Sequence, residues 1–239
     1  MSSPLPSHAR AVVVGGGVIG CSTAYHLARR GWKDVVVLER KQVSCGTTWH
    51  AAGLITTLRD TEAQTKLATY SLKLYQDLEA ETGQATGFIR CGSVQLAMSA
   101  DKAEEMRRGC AMARTFGVEN HEITPAEVKA LFPHAYVDDL VAGFHFPNDG
   151  RVNPADVAQA LAKGARQLGV KIIENCLMTG LITEHGRAVG VHTEHGDIRA
   201  EVVVLCPGMW GRDLGLMTGI DLPLQAAEHY YLISEPIAG

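Results

Sequence analysis

The sequence predicts an α/β fold: a largely parallel, doubly wound sheet that ends in an antiparallel meander and is interrupted by an α+β insertion. Three observations carry this. Ala11-Val12-Val13-Val14 is a continuous apolar run that breaks straight into Gly15-Gly16-Gly17-Val18-Ile19-Gly20, and a second run, Asp34-Val35-Val36-Val37-Leu38, comes one helix length later. Runs of this kind are strands buried on both faces of a parallel sheet. Ile182-Thr183-Glu184-His185-Gly186-Arg187 and His192-Thr193-Glu194-His195-Gly196-Asp197 each set a glycine turn between short β-rich runs, as in a small antiparallel meander. Between these regions, residues 88–148 show none of the first pattern, which makes them an insertion.

The first forty residues form one complete unit. After the first strand, Val18, Ile19, Ala24, Leu27 and Ala28 recur at helical spacing and Gly31 is a helix stop. The second strand ends in Glu39. Each part has a physical task in holding a dinucleotide. Gly15 makes the tight turn, Gly17 lets the backbone approach a pyrophosphate, and Gly20 lets helix and strand pack closely. The phosphates belong at the helix N-terminus, where unpaired N–H groups and the helix dipole favour negative charge. Glu39, 19 residues past Gly20, is placed to accept hydrogen bonds from ribose hydroxyls and disfavours a 2′-phosphate.

The segment after the second strand selects the kind of dinucleotide. Ser44-Cys45-Gly46-Thr47-Thr48-Trp49-His50-Ala51-Ala52-Gly53-Leu54 is a run of small and hydroxyl residues interrupted by Trp-His. Such a segment suits an extended pyrophosphate–ribityl chain. A nicotinamide domain would continue with alternating helix and strand. Here a long helix comes instead, from about Glu62 to Thr82, capped by Asp60 or Thr61 and ended by Gly83.

Gly-Thr-Thr-Trp-His-Ala-Ala-Gly-Leu after an N-terminal glycine fingerprint resembles the sarcosine and dimethylglycine dehydrogenase branch of the D-amino-acid-oxidase-like flavoproteins. The resemblance implies FAD as cofactor, a glutathione-reductase-like flavin domain, and covalent attachment of the flavin 8α-methyl to the motif histidine, His50. The expected cofactor-contacting set is Gly15, Gly17, Val18, Ile19, Gly20, Glu39 and Arg40 from the first unit, and Gly46, Thr47, Thr48, His50, Ala51, Gly53 and Leu54 from the loop. Met178 in the meander, and Pro207, Gly208 and Trp210 after a late strand, complete it. A neutral imidazole is a competent nucleophile.

Further along, residues 88–97 read as strand, Ser99 opens a charged helix to about Phe116, and Thr124-Pro125-Ala126-Glu127 is a capping box with proline at the first helical position. Pro133 ends that short helix. Ala142–Phe146 is strand-like and Pro147-Asn148-Asp149-Gly150 a turn. Asn153-Pro154 starts a helix to Leu168, and residues 170–174 form a strand. Val202-Val203-Val204-Leu205-Cys206-Pro207-Gly208 is again a fully buried strand with glycine at its C-terminal end, where open α/β sheets bind ligands. Proline at 207 departs from the small residue usual in the family. Residues 227–233 read as a strand re-entering the substrate domain, and the resemblance places His229 on the substrate side of the flavin as the candidate catalytic residue.

The implied organisation is a FAD-binding domain in two parts, 1–87 and 149–222, with a substrate domain over 88–148 that resumes at 223–239. Family members continue further, so the sequence is expected to be a fragment lacking the C-terminal part of the fold.

Composition bounds the rest. With 46% hydrophobic and 20% charged residues, 239 residues make one large or two small domains, not a disordered chain. The 25 glycines, about 10% against an average of about 7%, fit many tight turns. A net charge of −4 argues against a nucleic-acid partner. No apolar run approaches the ~18 residues of a membrane span. Cysteines 21, 45, 91, 110, 176 and 206 show no C-x-x-C spacing, so no metal site is expected and a reducing compartment is: the cytoplasm, or the mitochondrial matrix in a eukaryote. The expected activity is FAD-dependent oxidation of a small N-methylated amine, sarcosine or dimethylglycine, with hydride transfer to flavin and electrons leaving to an electron-transfer flavoprotein or oxygen. The alternatives are an oxygen-using amino-acid oxidase with non-covalent FAD, and a nucleotide-binding fragment without turnover.

Overall fold

The apolar runs read from the sequence become the centre of a six-stranded sheet. The computed structural model describes residues 5–230 and 232–237. In chain order the elements are β1 (His8–Val14), α1 (Val18–Arg29), β2 (Val35–Leu38), β3 (Leu54–Ile55), α2 (Glu62–Thr82), β4 (Ser93–Ala97), α3 (Ala100–Thr115), β5 (His121–Ile123), α4 (Pro125–Leu131), β6 (Ala142–Phe146), β7 (Gly150–Arg151), α5 (Pro154–Gln167), β8 (Lys171–Ile173), β9 (Met178–Glu184), β10 (Arg187–Thr193), β11 (Gly196–Leu205) and α6 (Gly211–Met217). Short 3-10 turns lie at Thr47–His50 and Gly208–Trp210.

The chain divides into two units. The first takes the chain through Ala52, Asp77–Gly87 and Asn153–Glu228; the second takes Gly53–Gln76, Phe88–Val152 and the chain from His229. In the first, the sheet order is β8-β2-β1-β11-β10-β9. Strands β8, β2, β1 and β11 are parallel, while β10 and β9 run antiparallel. The predicted meander and the predicted late strand are therefore parts of one ladder. Strand β11 pairs with β10 over its first four residues and with β1 from Arg199 to Leu205. On one face Val12, Val14, Val36 and Leu38 pack with Met178, Val191 and Ile198 of the meander. Their alternating neighbours Val13, Val35 and Val37 are equally buried on the other face. Helix α5 presents Ala158, Leu161, Ala162 and Ala165 as a buried stripe, and Gly164 sits so close to Tyr25 of α1 that a Cβ there would meet the ring at 2.8 Å. Helices α1 and α2 are also joined by the Tyr25 hydroxyl, which donates to the Glu81 carboxylate.

The second unit holds the three-stranded antiparallel sheet β4-β6-β5 and the two-stranded pair β3-β7. Phe144 and Phe146 on β6 pack with Met106, Cys110 and Ala113 of α3. Ser99 caps α3, accepting from Lys102 N–H at 3.2 Å. Thr124 and Glu127 form the expected capping box on α4, and in the first unit Asn153 caps α5 ahead of Pro154. Thr61 accepts from Gln64 N–H at 3.3 Å at the start of α2. Buried Asp149 ties the second unit together, accepting from Thr57 N–H, Thr57 Oγ1 and Ser93 Oγ.

Two expectations are corrected. The strand expected over 88–97 begins only at Ser93. Ile89 forms an isolated bridge to Arg151, and Gly92 in the left-handed region (φ +71°) turns the chain before β4 starts. The strand expected over 227–233 is absent among the described residues, and Tyr230 and Leu232 are each 89% exposed; Tyr231 lies outside the described residues. A β-prone run becomes a strand only when a neighbour supplies ladder partners, and no described segment does so.

The helical glycines yield a prediction of opposite signs. Gly109 on α3 has open space where a Cβ would stand, whereas a Cβ at Gly164 collides with Tyr25 and Thr82. Gly109→Ala should raise the unfolding free energy by about 0.5–1 kcal/mol through helix propensity. Gly164→Ala should lower it by about 1–3 kcal/mol through overpacking. Urea unfolding of both variants checks this.

Candidate functional site

The sheet order creates the site. The chain leaves β1 toward β2 on one side and receives β11 on the other, so the C-terminal end of β1 is a topological switch point, where open α/β sheets bind ligands. A cavity of about 760 Å³ opens there, within the first unit. That is the size of a small-molecule or cofactor pocket, about 300–1,000 Å³.

The glycine turn forms its floor. Gly15 has φ +113°, and a Cβ on it would stand 2.2 Å from the Cys206 carbonyl oxygen. A Cβ on Gly20 would stand 1.8 Å from the Gly15 oxygen. Gly15 thus makes the turn and Gly20 the close helix–strand approach. Gly16, to which the fingerprint assigns no role, also needs to be glycine: a Cβ there would lie 2.8 Å from Glu39 Cβ. The reason is that the Glu39 side chain folds over the turn. Its Oε2 accepts from Gly16 N–H at 2.7 Å and its Oε1 from Lys41 N–H at 2.9 Å. An ionised carboxylate offers about four acceptor positions, so capacity remains for ligand hydroxyls.

The loop after β2 forms the wall. Ser44 N–H donates to Gly16 O at 3.0 Å and Val43 N–H to Glu174 Oε1 at 2.7 Å, which hold the loop against the turn and against the end of β8. Thr48 Oγ1 accepts from Val18 N–H at 3.0 Å. On the far side, Gly208 (φ +60°) faces Thr47 Oγ1, and the Trp210 ring faces Gly46. The Arg40 guanidinium lies 3.8 Å from the centre of the Trp210 ring, a cation–π contact at the cavity rim.

Most of the expected cofactor set meets here. Gly15, Gly17, Val18, Ile19, Glu39, Arg40, Gly46, Thr47, Thr48, Ala51, Met178, Pro207, Gly208 and Trp210 all line the cavity. Gly20 lies beneath it as a packing residue. His50 is exposed in the 3-10 turn, with Thr48 and Ala51 on either side lining the cavity. Its Nδ1 is 3.3 Å from Gly46 O, and its ring is 3.8 Å from that of Trp49. Gly53 and Leu54 belong to the second unit, where Leu54 pairs with Arg151. His229 is exposed in a segment without helix or strand and is not a lining residue.

The lining also includes Cys45, Cys176, Cys206, Asp213, Leu214 and Met217, which the sequence patterns did not single out. For the last three a signal existed: positions 210, 213, 214 and 217 have the i, i+3, i+4, i+7 spacing of one helix face. Burial pushes the thiols of Cys176 and Cys206 up, so they stay protonated and act as small apolar walls. Cys21, fully buried behind them, is pushed up to about 12. Among the described residues no group of His, Cys, Asp and Glu could hold a metal, and no helix is long and apolar enough to cross a membrane.

Two outcomes are expected. Glu39→Gln puts an amide NH₂ against one of two backbone donors, Gly16 N–H (buried) or Lys41 N–H (part-buried), and should lower the unfolding free energy by about 1–3 kcal/mol in urea titration. With a thiol reagent at pH 8, exposed Cys91 should label first and Cys21 only after unfolding, as mass mapping of the labelled peptides would show.

Comparisons with known proteins agree with this geometry. The chain is 41% identical to "Sarcosine dehydrogenase, mitochondrial" of Homo sapiens over its whole length, covering 27% of that protein. It is 39% identical, over 98% of its length, to the mouse (Mus musculus) "Pyruvate dehydrogenase phosphatase regulatory subunit, mitochondrial", again covering 27% of it. The chain thus spans about a quarter of the length of each of these two relatives. Among solved structures, L-proline dehydrogenase from P. horikoshii superposes with a TM-score of 0.85 at 29% identity, over 90% of this chain and 57% of that one. The profile of the family described as DAO, FAD dependent oxidoreductase, matches residues 10–239. The chain belongs to that family, whose cofactor is FAD.

Proposed function

We propose that this chain carries the FAD site of an oxidoreductase acting on the C–N bond of an N-methylated glycine, sarcosine or dimethylglycine. The observation that carries the reading is the juxtaposition of the switch-point cavity with an exposed His50 on the turn that forms its wall. The residues fit the group. A glycine cradle leaves no room for side chains where phosphates approach, and Glu39 keeps acceptor positions for ribose hydroxyls.

His50 is prepared for attachment by its hydrogen bond. A carbonyl oxygen only accepts, so Nδ1 carries the proton in the contact with Gly46 O, which leaves the Nε2 lone pair available. Bound flavin supplies the two-electron acceptance from the N-methyl carbon, and an electron-transfer flavoprotein or oxygen takes the electrons onward. The second unit supplies the beginning of the substrate-binding domain, with His229 as its candidate substrate-side residue. Amine oxidation of this kind depends chiefly on positioning. The six free thiols suit a reducing compartment, the cytoplasm or the mitochondrial matrix.

Acid precipitation of the purified protein tests the attachment. The pellet should be yellow, and that of His50→Ala colourless with flavin in the supernatant. A colourless wild-type pellet contradicts His50 attachment. Dye reduction with sarcosine or dimethylglycine tests the activity; bound flavin that neither amine reduces contradicts the N-methylglycine reading and aligns the chain with its regulatory-subunit relative.

A further inference from the structure

We propose that Thr48 is a positioning residue for the attachment of flavin at His50, acting through the first turn of α1; the proposal rests on the His50 reading above. Helix α1 begins at Val18, and its N-cap, Gly17, has no side chain with which to cap the first N–H groups. Thr48 supplies the missing acceptor from thirty residues away, taking the Val18 N–H at 3.0 Å. Gly17 permits this approach, since a Cβ there would already lie 3.0 Å from Thr48 Oγ1.

The consequence concerns His50 because Thr48 and His50 share the four-residue turn Thr47–His50. Within that turn Ala51 N–H donates to Thr48 O at 3.2 Å, and the His50 ring bonds back to Gly46 O. A pin at Thr48 therefore sets the position of the imidazole relative to α1. The same first turn of α1 is where the phosphates of the dinucleotide are held. One hydrogen bond thus links the point that anchors the cofactor to the point that attacks it. In the attachment step His50 forms one bond, from Nε2 to the 8α carbon. One proton leaves that carbon and one leaves the imidazole, while two electrons enter the flavin ring and pass to the electron acceptor named above.

A helix cap contributes modestly to stability, whereas a misplacement of about 1 Å can slow a positioned reaction by about 10²-fold. The chain is loaded with FAD as wild type, Thr48→Val, Thr48→Ser and Val18→Pro. The fraction of bound flavin that stays with acid-precipitated protein is then followed in time. Val18→Pro removes the donor instead of the acceptor. Proline is tolerated at the first helical position, and the extended Gly17 (φ −76°, ψ −178°) suits a residue before proline.

Thr48→Val and Val18→Pro should each slow attachment about tenfold or more. The rate is read per flavin bound, so that a change in affinity does not enter it, and Thr48→Ser should restore the wild-type rate. Attachment at the wild-type rate in Thr48→Val overturns the proposal, as does loss of all bound flavin from the folded variant, which makes Thr48 a binding residue instead. Wild-type protein that binds FAD without attaching it overturns the His50 reading and this proposal with it.

Discussion

Three backbone segments meet at the end of β1 more closely than any side chain allows. Gly15 passes under the Cys206 carbonyl, and Gly20 sits on the Gly15 carbonyl, both at separations where a Cβ would overlap an oxygen. The last rung of the β1–β11 ladder, Cys206 N–H to Val14 O at 2.7 Å, and the Gly15 N–H to Leu38 O bond at 2.8 Å close the same point. The rest of the first unit depends on this crossing. It brings the N-terminus of α1 to the switch point, sets the ends of β2 and β11 on either side of it, and leaves a cavity with a polar floor and an apolar far wall of Leu214 and Met217.

Charge is arranged within that cavity with some economy. An acidic side chain next to a phosphate site is unfavourable unless its charge is occupied, and Glu39 is held by two backbone N–H groups. Arg40, the next residue, turns the other way and lies on Trp210. In the proposed reading, this keeps the positive partial charge of the α1 N-terminus for the phosphates and leaves hydroxyl-accepting capacity one strand away. The 44–51 loop adds neutral donors and does not add charge, in keeping with a segment suited to a long, extended ligand.

Much of the fold was legible because its signals are local. The glycine fingerprint, the capping residues Ser99, Thr124 and Asn153, and the breaks at Gly31 and Gly83 each act within a few residues. Gly15, Gly17, Gly20 and Glu39 follow from the same strand–turn–helix logic, whereas the loop residues, Met178 and the residues at 207–210 come from the family resemblance. The features that escaped depend on distant partners. Gly16 needs to be glycine because of a side chain 23 residues away. The continuity of β11 through meander and parallel sheet requires two different neighbours at once. Residues 88–92 have strand propensity but meet a partner only at Ile89, and the described residues of 227–233 meet none, so propensity alone makes no strand in either. Gly53, Leu54 and His229, drawn from the family resemblance, are not lining residues of the switch-point cavity.

The glycine turn at the end of β1 is proposed as the seat of FAD. The flavin content of the purified chain, read from visible absorbance against protein concentration, tests it most directly when set beside Gly17→Val. That substitution keeps an ordinary backbone conformation (φ −76°) but projects a side chain into the cavity floor at Thr48. One FAD per chain is predicted in the wild type and essentially none in a folded Gly17→Val variant. Equal flavin in both would contradict the claim.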